Sequence, residues 1–142
     1  KALGTAGGLN LIKKIVSNNF ILSNADVISD LKFKNLIDFH GNESFATIAV
    51  KVIDSRENYG LVKISNEKII SFQEKPITKK YINSGVYAFN KNCLKHIRKN
   101  EKLDMITFLK RLKDNNKTIK AFPIYENWQD IGLKKKLKKL LD

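Results

Sequence analysis

Apolar positions recur along this chain in two alternating rhythms. Leu9, Ile12 and Val16 share one face at helical spacing, which predicts a helix over Gly7 to Asn18. Phe20-Ile21-Leu22 is a short continuous apolar run, a buried strand that ends at Asn24-Ala25-Asp26. Leu31, Phe33, Leu36, Ile37 and Phe39 return to the helical rhythm. Asp30 stands at the N-cap of that predicted helix, and Gly41-Asn42 gives its stop. Phe45 to Ile53 alternates and is β-branched, so it is a strand. Gly60 to Ile64 and Lys68 to Phe72 read as a hairpin joined by Ser65-Asn66-Glu67, and Ser84 to Phe89 as a further strand.

The C-terminal part repeats the alternation. Asp104 caps a helix with Met105, Phe108, Leu109 and Leu112 on one face, ending at Asn115-Asn116. Thr118 to Ile124 is a strand. Leu133, Leu137, Leu140 and Leu141 form the stripe of a last, lysine-coated helix that needs a partner surface. Helices alternating with short apolar strands imply an α/β fold, a Rossmann-like and mainly parallel sheet flanked by helices. The strand-rich middle, Phe45 to Phe89, is expected to add a small antiparallel edge. No repeat, low-complexity tract or Pro/Gly linker interrupts the chain, so residues 1–142 read as part of one domain with no internal boundary.

Composition narrows the partners. A hydrophobic share of 42% supports a real core. There is no run of about 18 apolar residues, so a membrane-spanning helix is excluded. Lys1-Ala2-Leu3-Gly4 opens the chain without an apolar signal core, which points to a cytoplasmic setting. The single cysteine, Cys93, has no internal disulfide partner and reads as a structural thiol. The net charge of +13 raises a nucleic-acid reading, with a functional anion-attracting field as its weaker form. Yet only three of the 27 basic residues are arginine (Arg56, Arg98 and Arg111), and arginine carries most bidentate base and phosphate recognition. The lysines read instead as a solvated surface, and no nucleic-acid partner is expected.

A few residues could carry chemistry. Asp26 lies where a strand's carboxyl end meets a loop, the edge at which open α/β sheets bind ligands. Asp130 follows Trp128 after another strand. Together they could form a hard oxygen site suited to Mg²⁺; separately, Asp26 could cap a turn and Asp130 the last helix. Glu74-Lys75-Pro76 ends a strand, with Pro76 biasing Lys75 toward extended backbone; Glu74 and Lys75 could be no more than a surface ion pair. Asn83 both donates and accepts, as reading a pair of sugar hydroxyls requires. Gly85, and Gly60 beside Tyr59, permit close approach of a ligand or simply serve turn or bulge geometry. Gly4-Thr5-Ala6-Gly7, with Gly8, is a small-residue stretch leading into a helix; it is not a P-loop. His40 and His96 show no paired ligand spacing and read as packing or surface residues. Trp128 reads as a packing residue that positions Asp130.

Five of these segments occur in one order along the chain: Leu3-Gly4-Thr5-Ala6-Gly7, Leu22-Ser23-Asn24-Ala25-Asp26, Phe72-Gln73-Glu74-Lys75-Pro76, Ile82-Asn83-Ser84-Gly85 and Trp128-Gln129-Asp130-Ile131-Gly132. The ordered set resembles the sugar-1-phosphate nucleotidyltransferases. That resemblance implies the nucleotide-diphospho-sugar transferase fold and an enzyme that joins a nucleoside triphosphate to a sugar 1-phosphate. It implies Mg²⁺ held by Asp26 and Asp130 as the catalytic pair. It implies Glu74 and Asn83 on the sugar hydroxyls, Gly60 with Tyr59 along the sugar ring, and Lys75 on the sugar phosphate. Gly4, Thr5, Ala6 and Gly7 would lie beside base and sugar, and Gly85 beside the ligand.

The resemblance spans nearly the whole chain and corresponds to the latter two-thirds of the family's catalytic domain. The family's opening Leu-Ala-Gly-Gly-x-Gly-Thr-Arg-Leu segment, which cradles the triphosphate, has no counterpart in these residues. A chain without that cradle is expected not to turn over by itself. An exposed sheet edge in its place predicts pairing with another chain, as in a homo-oligomer. Ala25 replaces the family's usual glycine, and Ser84 its usual alanine or threonine. The Tyr125-Glu126-Asn127-Trp128-Gln129-Asp130-Ile131-Gly132 ending is closer to mannose-, heptose- or amino-sugar-1-phosphate guanylyltransferases than to dTDP-glucose enzymes, which favours GTP. The other reading is a non-catalytic domain of the same type that senses sugar phosphates or regulates a partner.

Overall fold

The computed structural model describes residues 2–132. Its centre is a four-stranded sheet in the order β1-β6-β3-β7, with β1 at Asn19–Ser23, β3 at Ala46–Arg56, β6 at Ile77–Asn90 and β7 at Ile119–Ile124. The strand β6 runs antiparallel to both neighbours, and β3 is parallel only to β7. The expected α/β layering is present, but the pairing is mixed rather than mainly parallel. The physical reason is the connection between β3 and β6. A helix there would return the chain in parallel; instead a hairpin of β4 (Leu61–Ser65) and β5 (Lys68–Gln73) intervenes, and the chain comes back antiparallel.

Both faces of the sheet are covered, as period-two alternation requires. Tyr87 and Phe89 point to one core, with Phe108, Leu109 and Leu112 of α3 (Met105–Asp114) and Ala6 of α1 (Gly4–Gly7). Val86 and Ala88 point to the other, with Leu36 of α2 (Phe33–His40). Asp104 caps α3 as expected: its carboxylate accepts from the Thr107 amide at 2.9 Å and from the Thr107 hydroxyl at 2.6 Å. The hairpin forms as expected, but its joint is one residue shorter, because Ser65 belongs to β4 and pairs with Lys68. Asn66 and Glu67 both have positive φ, as a two-residue type I′ turn demands.

Three local expectations are corrected. The first helix is one α turn at Gly4–Gly7 followed by a 3₁₀ turn at Gly8–Ile12, not a run to Asn18. Three glycines favour a short docked turn over propagation. Asp30 does not cap α2, whose N-cap is Lys32 with no side-chain bond; its carboxylate accepts from Asn127 Nδ2 at 2.8 Å instead. The predicted strand over Ser84 to Phe89 is the buried half of a longer one, whose exposed first half mixes Ile77, Tyr81 and Ile82 with Thr and Lys and so lacks a continuous apolar run. The predicted last helix, Leu133 to Leu141, lies outside the described residues. No helix among the described residues is long and apolar enough to cross a membrane.

Candidate functional site

Two strands too short to show a period bring the acidic residues together. Just beyond Asp26, β2 (Val27–Ser29) pairs antiparallel with β8 (Trp128–Asp130), placing Val27 opposite Asp130. The Ile131 amide donates to the Asp26 carbonyl at 2.8 Å, and the Gly132 amide to Asp130 Oδ1 at 2.9 Å. A Cβ on Gly132 would stand 2.5 Å from Asp26 Oδ2 and 3.2 Å from Asp130 Oδ1. Both carboxylates therefore flank the same glycine. No group of three or more His, Cys, Asp or Glu side chains forms a metal cluster among the described residues. Two carboxylates beside a bare glycine nevertheless suit Mg²⁺, which keeps several waters and takes one or two carboxylates plus substrate phosphates.

Next to this junction, β6 departs from regular pairing. Ile48 opposes Tyr87 and Val50 opposes Asn83, so Ala49 alone faces Ser84, Gly85 and Val86. Asn83 Oδ1 accepts from the Gly85 amide at 3.0 Å, and Gly85 takes φ +75. What approaches Gly85 is Asn24, whose backbone amide donates to the Gly85 carbonyl at 2.8 Å. The sequence marks Asn24 only by its place in the Asn-Ala-Asp run before Asp26. Burial raises the Tyr87 phenol above its ordinary pKa, and the polar Asn83 side chain opposes that shift. Ser84 is buried, its hydroxyl donating to the Ala49 carbonyl at 2.7 Å, and the Trp128 indole donates to the Ser84 carbonyl at 2.9 Å.

A second group of candidates sits on the hairpin. A Cβ on Gly60 would lie 3.0 Å from Glu74 Oε2, so the missing side chain makes room for that carboxylate. Glu74 and Lys75 form an exposed ion pair at 4.0 Å, a contact of small energetic weight. Lys75 has φ +42, against the extended backbone expected before Pro76. That left-handed residue ends the strand alternation and lets the adjacent side chains meet. Tyr59 is exposed. Ile77, just after Pro76, lies six residues along β6 from Asn83, roughly 20 Å at strand rise. The described residues thus place Asp26, Asp130, Asn83 and Gly85 in one neighbourhood and Gly60, Glu74 and Lys75 in another.

The small-residue stretch is held by the chain itself. The Ala6 and Gly7 amides both donate to the Leu103 carbonyl, at 2.9 and 3.1 Å, and Thr5 Oγ1 accepts from the Met105 amide at 2.8 Å. A Cβ on Gly4 would meet the Leu103 carbonyl at 2.5 Å, and one on Gly7 would collide with the Glu101 carbonyl. Glu101 is itself clamped by Arg111 at 2.6 Å. The guanidinium, with the Arg98 amide, holds the Glu101 carboxyl down at about 2.

Other reactive groups stand apart. Cys93 is buried and its thiol is pushed up to about 12, which removes it as a nucleophile. His40 is buried against Thr47 at 2.8 Å, with desolvation and then Lys120 lowering its pKa. His96 packs edge-on against Phe45. Both histidines have the packing roles expected of them.

Known proteins resemble this arrangement over most of the chain. A family model described as Nucleotidyl transferase matches residues 1–141. The mannose-1-phosphate guanyltransferase of Hypocrea jecorina is 34% identical over 92% of this chain and 38% of its own length. The mannose-1-phosphate guanylyltransferase catalytic subunit beta of Drosophila melanogaster is 36% identical over 92% of this chain and 37% of its own. The chain thus spans under two-fifths of these relatives. Among solved structures, HddC from Yersinia pseudotuberculosis complexed with GMP-PN has a TM-score of 0.69 at 25% identity, covering 98% of this chain and 61% of that one. The inositol-1-phosphate CTP transferase from T. maritima, at 19% identity and TM-score 0.67, shares the fold over 98% of this chain and 60% of its own.

Proposed function

The chain belongs to the nucleotidyl transferase family, and from that premise we propose that the protein carrying it transfers a nucleotidyl group to a sugar 1-phosphate. GTP is the favoured donor, as in the relatives named guanylyltransferases. A phosphate oxygen of the sugar 1-phosphate bonds to the α-phosphorus of the triphosphate. The bond from that phosphorus to the bridging oxygen breaks, and pyrophosphate leaves with the electron pair. The product is a nucleotide-sugar for cell-surface glycans, made in the cytoplasm, and residues 1–142 are part of one catalytic domain.

The observation that carries this reading is the convergence of Asp26 and Asp130 on Gly132. These two carboxylates would hold Mg²⁺, which when bound supplies neutralisation of phosphate charge. Asn83, in the neighbourhood of the two aspartates, offers the sugar hydroxyls its amide. The roles of Glu74, Tyr59 and Gly60 on the sugar and of Lys75 on its phosphate rest on the family resemblance, since these residues stand apart on the hairpin, and the space beside Gly85 is taken by Asn24. Of the stretch Gly4, Thr5, Ala6 and Gly7 that the family resemblance puts on the base side, Gly4 and Thr5 are exposed and could meet a base, while Ala6 and Gly7 are buried against Leu103. Reactions of this type depend on positioning and charge neutralisation more than on covalent help.

The test is pyrophosphate release by the full-length protein with Mg²⁺, across a matrix of nucleoside triphosphates and sugar 1-phosphates. Release with one pair, lost in Asp26→Asn and in Asp130→Asn, supports the reaction and names its substrates. Near-normal release in either variant removes the metal role. Silence across the matrix from folded protein, with calorimetric binding of a sugar phosphate, turns the reading to a non-catalytic sensor.

A further inference from the structure

The β2–β8 ribbon is not part of the main sheet. Each of its strands has three residues, and a two-stranded ribbon of that size does not hold its place unaided. One end is closed by Asn127, whose carbonyl accepts from the Asp30 amide at 3.1 Å and whose side chain donates to the Asp30 carboxylate. The other end carries Asp130. Between them, Trp128 reaches across to the main sheet, its indole donating to the Ser84 carbonyl at 2.9 Å. Ser84 is in turn fixed by its hydroxyl on Ala49, at the irregular point of the β3–β6 ladder.

Trp128 and Asp130 are two residues apart on one strand, so they share a face and move together. A shift of the indole relative to Ser84 is a shift of Asp130 relative to Asn83 and Gly85. We propose that Trp128 is a positioning residue: through Ser84 it sets the carboxylate of Asp130 in register with the bulge of β6. Metal affinity at Asp26 and Asp130 thereby depends on a hydrogen bond made by neither. The inference rests on the reading of those two aspartates as the metal-holding pair.

The experiment measures binding of Mn²⁺, standing in for Mg²⁺, by electron paramagnetic resonance, with thermal unfolding recorded beside it. Trp128→Phe keeps an aromatic ring and deletes the donor. Replacement of Trp128 by 3-benzothienylalanine keeps the bicyclic volume and deletes only the N–H; it decides the matter if the phenylalanine variant does not fold. Ser84→Ala frees the bulge from Ala49. Asp26→Asn is the control for the metal pair.

Folded variants at position 128 are expected to bind Mn²⁺ severalfold more weakly, up to about tenfold, the lower end for a group hydrogen-bonded to a metal ligand, since the indole acts on Asp130 only through their shared strand. Ser84→Ala is expected to weaken binding as well, and the double variant to fall short of the product of the two effects. A purely structural role would lower the unfolding temperature and leave Mn²⁺ affinity of the folded protein unchanged. Wild-type affinity in the benzothienylalanine protein, with binding lost in Asp26→Asn, overturns the positioning role and leaves the metal reading standing. Multiplicative effects of the two sites overturn the relay through Ser84. Failure of the folded wild-type chain to bind Mn²⁺ removes the metal reading and this inference with it.

Discussion

Gly85 leaves the space that Asn24 occupies: a Cβ there would stand 2.7 Å from Asn24 Nδ2, on a backbone already at φ +75. The bulge of β6 and the turn after β1 are therefore built around one missing side chain. Gly85→Ala should cost about 2–3 kcal/mol, from left-handed strain plus the clash. Urea unfolding checks it. Combining it with Asn24→Ala should recover the steric part and leave the strain. A loss below about 0.5 kcal/mol, the scale of a neutral surface change, would mean that this junction is not packed as described.

Gly132→Ala acts on the carboxylates rather than on the core. Its Cβ would press on Asp26 Oδ2 and stand 3.2 Å from Asp130 Oδ1. The segment is at the surface, so the unfolding free energy should change by less than about 1 kcal/mol. Binding of Mn²⁺ should weaken at least severalfold, because the two carboxylates can no longer close on one ion. Titration followed by paramagnetic resonance distinguishes this from a folding defect, and undiminished affinity would count against the pair as a metal site.

His40 makes stability fall on mild acidification. Its ring is buried, with Nδ1 on Thr47 and no partner for Nε2 among the described residues. Desolvation and then the charge of Lys120 depress its pKa below 6.5. Lys120 Nζ also donates to the His40 carbonyl, so a cation already stands beside the ring. A depressed folded pKa means that the unfolded chain binds the proton more readily. The stabilising contribution is complete above pH 6.5 and is lost as pH falls toward the lowered folded value. Chemical unfolding between pH 8 and pH 5 should show this slope. His40→Gln should flatten it, and an unchanged slope would assign it to other groups.

Cys93 should be silent until the chain unfolds. Its thiol is buried and pushed up to about 12, so almost no thiolate exists at pH 8. A disulfide reagent such as Ellman's should leave the native protein unlabelled and react with one thiol per chain in denaturant. Rapid labelling of the native protein would show that the face of α3 against which Cys93 packs is open.

Much of the candidate site is legible in the ordered motifs, since each is a short local run whose residue types carry their own chemistry. The helix over Met105–Asp114 is legible for a different reason: its cap and its apolar stripe are both local. So is the hairpin, although its turn is Asn66-Glu67 without Ser65. Those features depend on neighbours within a few residues, and the amino-acid order by itself determines them. The family resemblance has the same basis.

Tertiary structure alone decided the rest. The direction of β6 is set by how the β4–β5 hairpin returns the chain beside β3, and strand direction leaves no mark on side-chain periodicity. The strands β2 and β8 are three residues each, too short for any period, yet their pairing is what brings Asp26 to Asp130. Asp30 reads as a cap until Asn127 arrives from far along the chain to bond it. Lys75 reads as extended until the turn into β6 turns its φ positive. For the β2–β8 pair and for Asp30 the deciding partner is distant in sequence, and its contact outweighs the local preference that the residues carry alone.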